Sequence, residues 1–213
     1  MKVPETRPRR HDFVRLIPGT QSLLASNVSP EVIHWHRLHP FVVTRRCASS
    51  RADTLTLGLA LPDKRRIAFE VGQGAVAERS APPRLVDTID SAPAHWRTRL
   101  REIVETARRF DTEVRAYGSL AWQHLTQLDY VHAASDVDLL LSADRWENAR
   151  RLADELHRMD GIPRLDGELR LPDGSGVAWR EIPAGAARAL VKGDSFVVLM
   201  TRAEIRGLLE SAR

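Results

Sequence analysis

Residues 117–141, YGSLAWQHLTQLDYVHAASDVDLLL, decide how the rest of the chain is read. A Gly-Ser pair, Gly118 and Ser119, opens a segment of helical character. Two aspartates, Asp136 and Asp138, then stand one residue apart at the start of an apolar run. In a β-strand side chains alternate faces, so residues i and i+2 point the same way with Cα atoms roughly 6.5 Å apart. Two carboxylates on one face suit hard cations such as Mg²⁺, which take carboxylate and phosphate oxygens together with water. The pattern points to chemistry on phosphoryl or nucleotidyl groups.

Working outward, Glu113–Tyr117 reads as a strand, Ser119 to about Leu128 as a helix and Asp136–Leu141 as a strand. Ser142 is the expected N-cap of a further helix whose apolar face is Trp146, Ala149, Leu152, Ala153 and Leu156, stopping by Gly161. PRLDGELRLP predicts a strand containing Asp166 and Glu168, and GVAWREIP the next. After an Ala-rich segment come a Lys192-Gly193-Asp194 turn, the apolar run Phe196–Met200 and a capping box of Thr201 with Glu204. This half reads as α/β with a helix between successive strands.

Upstream, Trp96, Leu100, Ile103, Ala107 and Phe110 fall at helical spacing between Pro93 and Phe110. AERSAPPRLVD reads as a linker. Before it, Phe13–Ile17 and Phe41–Thr44 are strand candidates, Glu31–Leu38 a short helix, and TLTLGLALPDKRRIAFEVG a β-hairpin with one face buried. The expected fold class is α+β. Residues 1–80 form a small, mainly β unit, 81–111 a linker and amphipathic helix, and 112–213 a catalytic α/β domain with a mixed sheet.

Composition narrows the function classes. The 213 residues are 43% hydrophobic, enough for real cores, and 32 Lys and Arg against 28 Asp and Glu leave a charge of only +4. That balance suits an anionic ligand but is too mild to establish nucleic-acid binding, although arginine raises the pI to 9.8. A single cysteine, Cys47, excludes an intramolecular disulfide or a multi-cysteine zinc site and fits a reducing, cytoplasmic setting. No apolar run is long enough to span a membrane, and the basic N-terminus is not followed by the apolar stretch of a signal peptide. The histidines of HWHRLH do not share one helical face, which argues against zinc.

Each candidate has an ordinary reading beside the functional one. Gly118-Ser119 is a common turn, yet its amides at a helix N-terminus would make an anion site. Asp136 and Asp138 could be strand-entry residues. Asp138 lies within an apolar run, however, where an unpaired carboxylate is costly and either a metal or an arginine would satisfy it.

Taken together, a Gly-Ser turn, a helix and D-x-D on the following strand resemble the signature of the DNA polymerase β type nucleotidyltransferase superfamily. YGSLAWQ, SDVDLLL, RLDGEL and VAWRE, in this order over about residues 112–200, narrow the resemblance. They are similar to malonate decarboxylase holo-acyl-carrier-protein synthases, also called phosphoribosyl-dephospho-CoA transferases. The segment beginning RRHDF resembles the same family more loosely.

The resemblance implies transfer of phosphoribosyl-dephospho-CoA from triphosphoribosyl-dephospho-CoA to a serine of the apo acyl carrier subunit of malonate decarboxylase, releasing pyrophosphate. It implies two Mg²⁺ ions on Asp136 and Asp138, phosphate binding by Gly118 and Ser119, and a third carboxylate from a later strand. Asp166 is favoured for that role because a shorter side chain holds a metal with less freedom. Glu168 and Glu181 are the alternatives if Asp166-Gly167 is only a hairpin turn. Lys192 is placed to reach the triphosphate or to be a solvated turn lysine, and Arg45, Arg46 and Arg115 are weaker phosphate candidates. No nucleic-acid polymer and no membrane are expected as partners. The rival readings are a nucleotidyltransferase that adenylylates another protein or a small molecule, and a non-catalytic binding protein of the same fold.

Overall fold

The computed structural model describes residues 8–17, 30–39, 41–44, 54–183 and 187–211. Within it the chain divides into two units, 1–82 and 83–213. In the first, β1 (Phe13–Leu16), α1 (Pro30–Leu38), β2 (Phe41–Thr44), β3 (Thr54–Ala60), β4 (Arg66–Gly72) and β5 (Val76–Ser80) follow one another. The strands form one antiparallel sheet of order β4-β3-β2-β1-β5. Period-two alternation produces the β3–β4 hairpin, with Leu57 opposite Phe69 and Leu55 opposite Val71, all four buried. Asp12, fully buried, accepts 2.8 Å hydrogen bonds from the Arg9 amide and from Arg79 Nε on β5. A buried carboxylate satisfied in this way ties the entry of β1 to the last strand of its sheet.

β5 departs from the linker reading, since Glu78, Arg79 and Ser80 pair with Arg15, Val14 and Phe13 of β1. Val76 is its only buried residue, so this edge strand carries no alternation to betray it. Pro83 O then accepts from Ala116 N and Arg84 bridges to Arg115, so the chain enters the second unit already paired.

The second unit comprises α2 (Leu85–Thr88), α3 (Ala94–Arg109), β6 (Thr112–Tyr117), α4 (Gly118–Thr126), β7 (Val137–Ala143), α5 (Trp146–Arg158) and β8 (Leu165–Arg170). β9 (Gly176–Ala178), β10 (Arg188–Lys192), β11 (Val197–Thr201) and α6 (Arg202–Glu210) complete it. Its six strands are ordered β11-β10-β9-β8-β7-β6; β7 and β8 are parallel and every other neighbouring pair is antiparallel. The sheet is therefore mixed, as expected. A parallel pair needs a crossover, which α5 supplies.

Helices separate strands only as far as β8; β8 to β11 form an antiparallel meander, correcting the expectation of regular alternation. β10 escaped notice because Ala189, Leu190 and Val191 run together without a period. Ser142 caps no helix. It lies inside β7 opposite Glu113, because β6 extends to Thr112 and offers pairing that far, and α5 begins only at Trp146. The capping box of α6 forms as expected, Thr201 Oγ1 accepting from the Glu204 amide at 3.3 Å.

Alternation gives this sheet two unlike faces. Val137, Leu139, Leu141, Leu165, Leu169, Val177 and Val191 are buried in one core with Trp96, Leu100 and Ile103 of α3 and Leu152 and Leu156 of α5. Asp138 and Asp166 belong to the opposite face. Gly167 has φ +133°, and a Cβ there would lie 1.9 Å from the Leu139 carbonyl oxygen. Asp166-Gly167 is thus an in-strand close approach between β8 and β7, not a hairpin turn. No helix among the described residues is long and apolar enough to cross a membrane.

Candidate active site

The register of three strands brings Asp138, Asp166 and the end of β6 to one corner of the face opposite that core. Tyr117 at the end of β6 is opposite Asp138, and Asp138 is opposite Asp166 across the parallel β7–β8 pair. Register partners on neighbouring strands are about 4.8 Å apart in the pairing direction and project from the same face. One step before them, Val137 N donates to Arg164 O at 2.8 Å. Asp136 and Arg164 thereby enter β7 and β8 side by side. DVD at 136–138 lies against RLD at 164–166, with four charged side chains at the corners.

Gly118 locks the turn to this corner. Its φ is +63°, a region that L-residues enter at a cost, and a Cβ there would fall 1.9 Å from Asp138 Oδ2. The absence of a side chain lets the first turn of α4 sit directly against the carboxylate. Tyr117, at the N-cap of α4, contributes no side-chain acceptor to that turn, and Ser119 is its second residue. The helix is held from behind: Gln123 Oε1 accepts from the Tyr130 and Val131 amides at 3.0 and 2.9 Å, while Gln123 Nε2 donates to Ser91 O at 2.5 Å. Trp122, buried, stacks on Tyr130. The Gly-Ser turn and the loop leading to Asp136 are thus fastened to the same helix.

Arg164 is the residue that sequence reasoning missed. Its Nε and Nη2 donate to Asp136 Oδ1 and Oδ2 at 2.9 and 3.1 Å, a two-pronged pair. The Asp136 carboxylate, and more weakly that of Asp166, holds the guanidinium above its ordinary pKa. The sequence signal was an R-x-D facing the D-x-D, which becomes legible only once β7 and β8 are known to be parallel and in that register.

The donor chemistry of the corner fits a hard divalent cation, because Asp138 and Asp166 present carboxylates from paired positions. Both oxygens of Asp136 are engaged by Arg164, however, and among the described residues no group of three acidic, His or Cys side chains is arranged to hold a metal. The Asp166 carboxylate accepts from the Gly167 amide at 2.8 Å.

Comparison with known proteins completes this picture. Residues 84–203 match the family model described as phosphoribosyl-dephospho-CoA transferase MdcG C-terminal domain, and residues 9–82 match that of the N-terminal domain. The chain belongs to the phosphoribosyl-dephospho-CoA transferase family. It is 37% identical over 205 residues to the phosphoribosyl-dephospho-CoA transferase of Bradyrhizobium diazoefficiens, covering 92% of this chain and 91% of that one. It is 35% identical over 204 residues to the namesake from Xanthomonas axonopodis pv. citri, covering 92% and 95%. No solved structure matches it.

In this transferase-family chain the remaining candidates lie away from the corner. Glu168 shares the face of Asp166 but is buried, in the next row opposite Leu140 and Ala178. Glu181 accepts from the Leu190 amide at 2.9 Å, fastening β10. Lys192 pairs with Gly176, which pairs with Arg170. That register puts Lys192 about 13 Å along the strands and about 10 Å across them from Asp166, so the structure does not bring it to the aspartates. Arg115 is bound to Glu113 at 2.8 Å. Arg45, Arg46 and Cys47 lie outside the described residues.

Proposed function

We propose that this chain transfers phosphoribosyl-dephospho-CoA from triphosphoribosyl-dephospho-CoA to a serine of the apo acyl carrier subunit of malonate decarboxylase. The second unit is then a nucleotidyltransferase domain of the polymerase β type, with β6, α4 and β7 as its signature segment. Family membership supports the transferred group. The observation that carries the site is the seating of Gly118 against Asp138, which puts a helix N-terminus beside two register-paired carboxylates.

In the reaction the serine Oγ attacks the α-phosphorus of the triphosphate. A phosphodiester bond to the carrier forms, the bond to the β-phosphate bridging oxygen breaks, and pyrophosphate leaves. The serine proton passes to a carboxylate, for which Asp166, on the exposed side of the row, is our choice. The Gly118 and Ser119 amides bind the departing phosphates through the helix N-terminus. Asp138 and Asp166, register partners on β7 and β8, are the carboxylates that would meet Mg²⁺, which when bound would offset the charge on the triphosphate. Asp136, held by Arg164, is not arranged to complete a three-ligand set with them. Positioning of the two reactants supplies much of the remaining acceleration. Lys192 is left to the far end of a long substrate.

The test is mass spectrometry of the carrier after incubation with the protein, Mg²⁺ and either triphosphoribosyl-dephospho-CoA or ATP. The expected result is a mass gain equal to phosphoribosyl-dephospho-CoA from the former alone. Labelling from ATP alone would instead favour an adenylylating enzyme, and an unmodified carrier a non-catalytic binding protein.

A further inference from the structure

We propose that a second copy of this chain pairs with the first along β11, antiparallel and about a two-fold axis at Val198, so that one sheet runs through both molecules. β11 is an end strand of its sheet. The other end is covered, because Pro83 O accepts from Ala116 N and Arg84 bridges to Arg115 beside β6. Among the described residues β11 has no such cover, and its sequence VVLMT carries neither a charge nor a proline. Its register with β10 runs without a bulge. Charges, prolines and bulges are the devices that ordinarily keep a sheet edge from pairing. Phe196, Val197, Val198 and Leu199 are instead consecutive exposed apolar residues, Leu199 at 59%. Such a run on an unprotected edge marks an interaction surface.

Gly193 N donates to Phe196 O at 3.0 Å, and beyond that turn Val198 is opposite Val191 and Met200 opposite Ala189. Bonded and non-bonded pairs alternate along an antiparallel ladder, so Val198 and Met200 bond to β10 while Val197, Leu199 and Thr201 turn their backbone groups off the edge. Leu190, opposite Leu199, agrees with this phase, since its amide turns away from β11 and donates to Glu181. The Thr201 amide is already taken by Glu204 at 2.7 Å. Val197 and Leu199 are therefore the residues with both a donor and an acceptor to offer. An axis at Val198 sets Val197 of each copy against Leu199 of the other and uses those groups completely. It also brings Asp194, in the hairpin turn, toward Arg202 of the second copy at the start of α6, and Arg202 Nε and Nη2 have no hydrogen-bond partner within the described residues. Moving the axis to Leu199 would call on the occupied Thr201 amide and set Asp194 toward Glu204, a like charge. Complementarity in both hydrogen bonds and charge thus selects a second copy as the occupant. Val197 and Leu199 of both copies then form one apolar strip on the face opposite the core, while Val198 meets its counterpart on the core face.

The test is sedentation equilibrium of the full chain over a wide concentration range. The mass should rise with concentration toward twice the 24.0 kDa of one chain. Leu199→Lys should weaken association about a hundredfold, the scale of an apolar anchor lost from both sides of a two-fold interface. Its circular dichroism should match wild type, because the side chain it replaces is exposed. Arg202→Asp should weaken association about tenfold, and adding Asp194→Arg should restore it. The register is read by cross-linking in a Cys47→Ser background. Val198→Cys should oxidise to a covalent dimer, since non-bonded antiparallel partners have Cα atoms about 4.5 Å apart, within disulfide reach. Leu199→Cys should not, because that axis leaves its two copies more than about 7 Å apart. A wild type that is monomeric at every concentration overturns the proposal, as does a dimer that Leu199→Lys leaves intact or one that cross-links through Leu199→Cys and not Val198→Cys. If the wild type is monomeric and Leu199→Lys blocks capture of the apo carrier subunit, the edge belongs to the carrier and not to a second copy.

Discussion

The two faces of the six-stranded sheet are made by the same strands, residue by residue in alternation, and they obey different rules. On one, Leu139 and Leu141 are buried in an apolar core to which α3 and α5 also contribute. On the other, Asp138 and Asp166 are register partners, and Arg164 is bonded to Asp136 one step before them. The first arrangement is what lowers the free energy of a fold, since buried aliphatic surface is the dominant favourable term. The second lies on the opposite face and adds nothing to that core. Residues outside that core are where chemistry can be placed without opening a cavity in it.

Neighbouring residues on β7 give the sharpest way to break this contrast. Leu139→Ala should destabilise the protein by about 3 kcal/mol in chemical denaturation, the usual cost of a cavity at a fully buried leucine. The remaining folded molecules should keep near-normal transfer activity. Asp138→Asn should do the reverse, cutting carrier modification on the order of 10²–10³-fold while leaving the denaturation midpoint close to wild type. If Asp138→Asn unfolded the protein as Leu139→Ala does, the carboxylate would be part of the fold and the division between faces would fail.

Legibility in the sequence followed the same division. The apolar face announced itself through periodicity, so the β3–β4 hairpin, β6, α3 and the face of α5 stand where their spacing puts them. β5 and β10 were missed because neither VAERS nor RALVK alternates apolar with polar residues in sequence, and Ser142 because its strand is prolonged by a partner distant in sequence. On the polar face the Gly-Ser turn and the two D-x-D aspartates are local words, readable in place. The pairing of Asp136 with Arg164 joins residues 28 apart, and the remoteness of Lys192 depends on how β9 and β10 fold back. Both follow from register, which single-sequence patterns do not carry over such distances.

Gly118 tests the hinge between the faces, because it belongs to the backbone yet touches Asp138. Gly118→Ala should cost about 1–2 kcal/mol of stability from its φ of +63°. It should also lower transfer activity by about tenfold or more, because misplacing a reacting group by an ångström or so carries penalties of that order. The carboxylate must move, since the new Cβ would lie 1.9 Å from Oδ2. A variant that lost stability but kept full activity would show that the close approach serves the turn alone.

The smallest effect belongs to neither face but to the outer surface of α5. Glu147, in its first turn, accepts hydrogen bonds from Arg150 and Arg151, which lower its pKa from 4.5 to about 2. A carboxyl group whose folded pKa lies below its unfolded value contributes stability above the unfolded value, and loses that contribution as pH falls through the folded one. The contribution of Glu147 is therefore complete at neutral pH and fades between about 4.5 and 2. Glu147 is exposed and screened by water and salt, so Glu147→Gln should move the neutral thermal midpoint only at the edge of detection. That small difference should shrink further in high salt and fade as pH falls toward 2 and below, while transfer activity at neutral pH stays unchanged. A pH-independent loss would mean that Glu147 acts through packing, as Leu139 does, and that the charged surface is not as separable from the core as the two faces of the sheet imply.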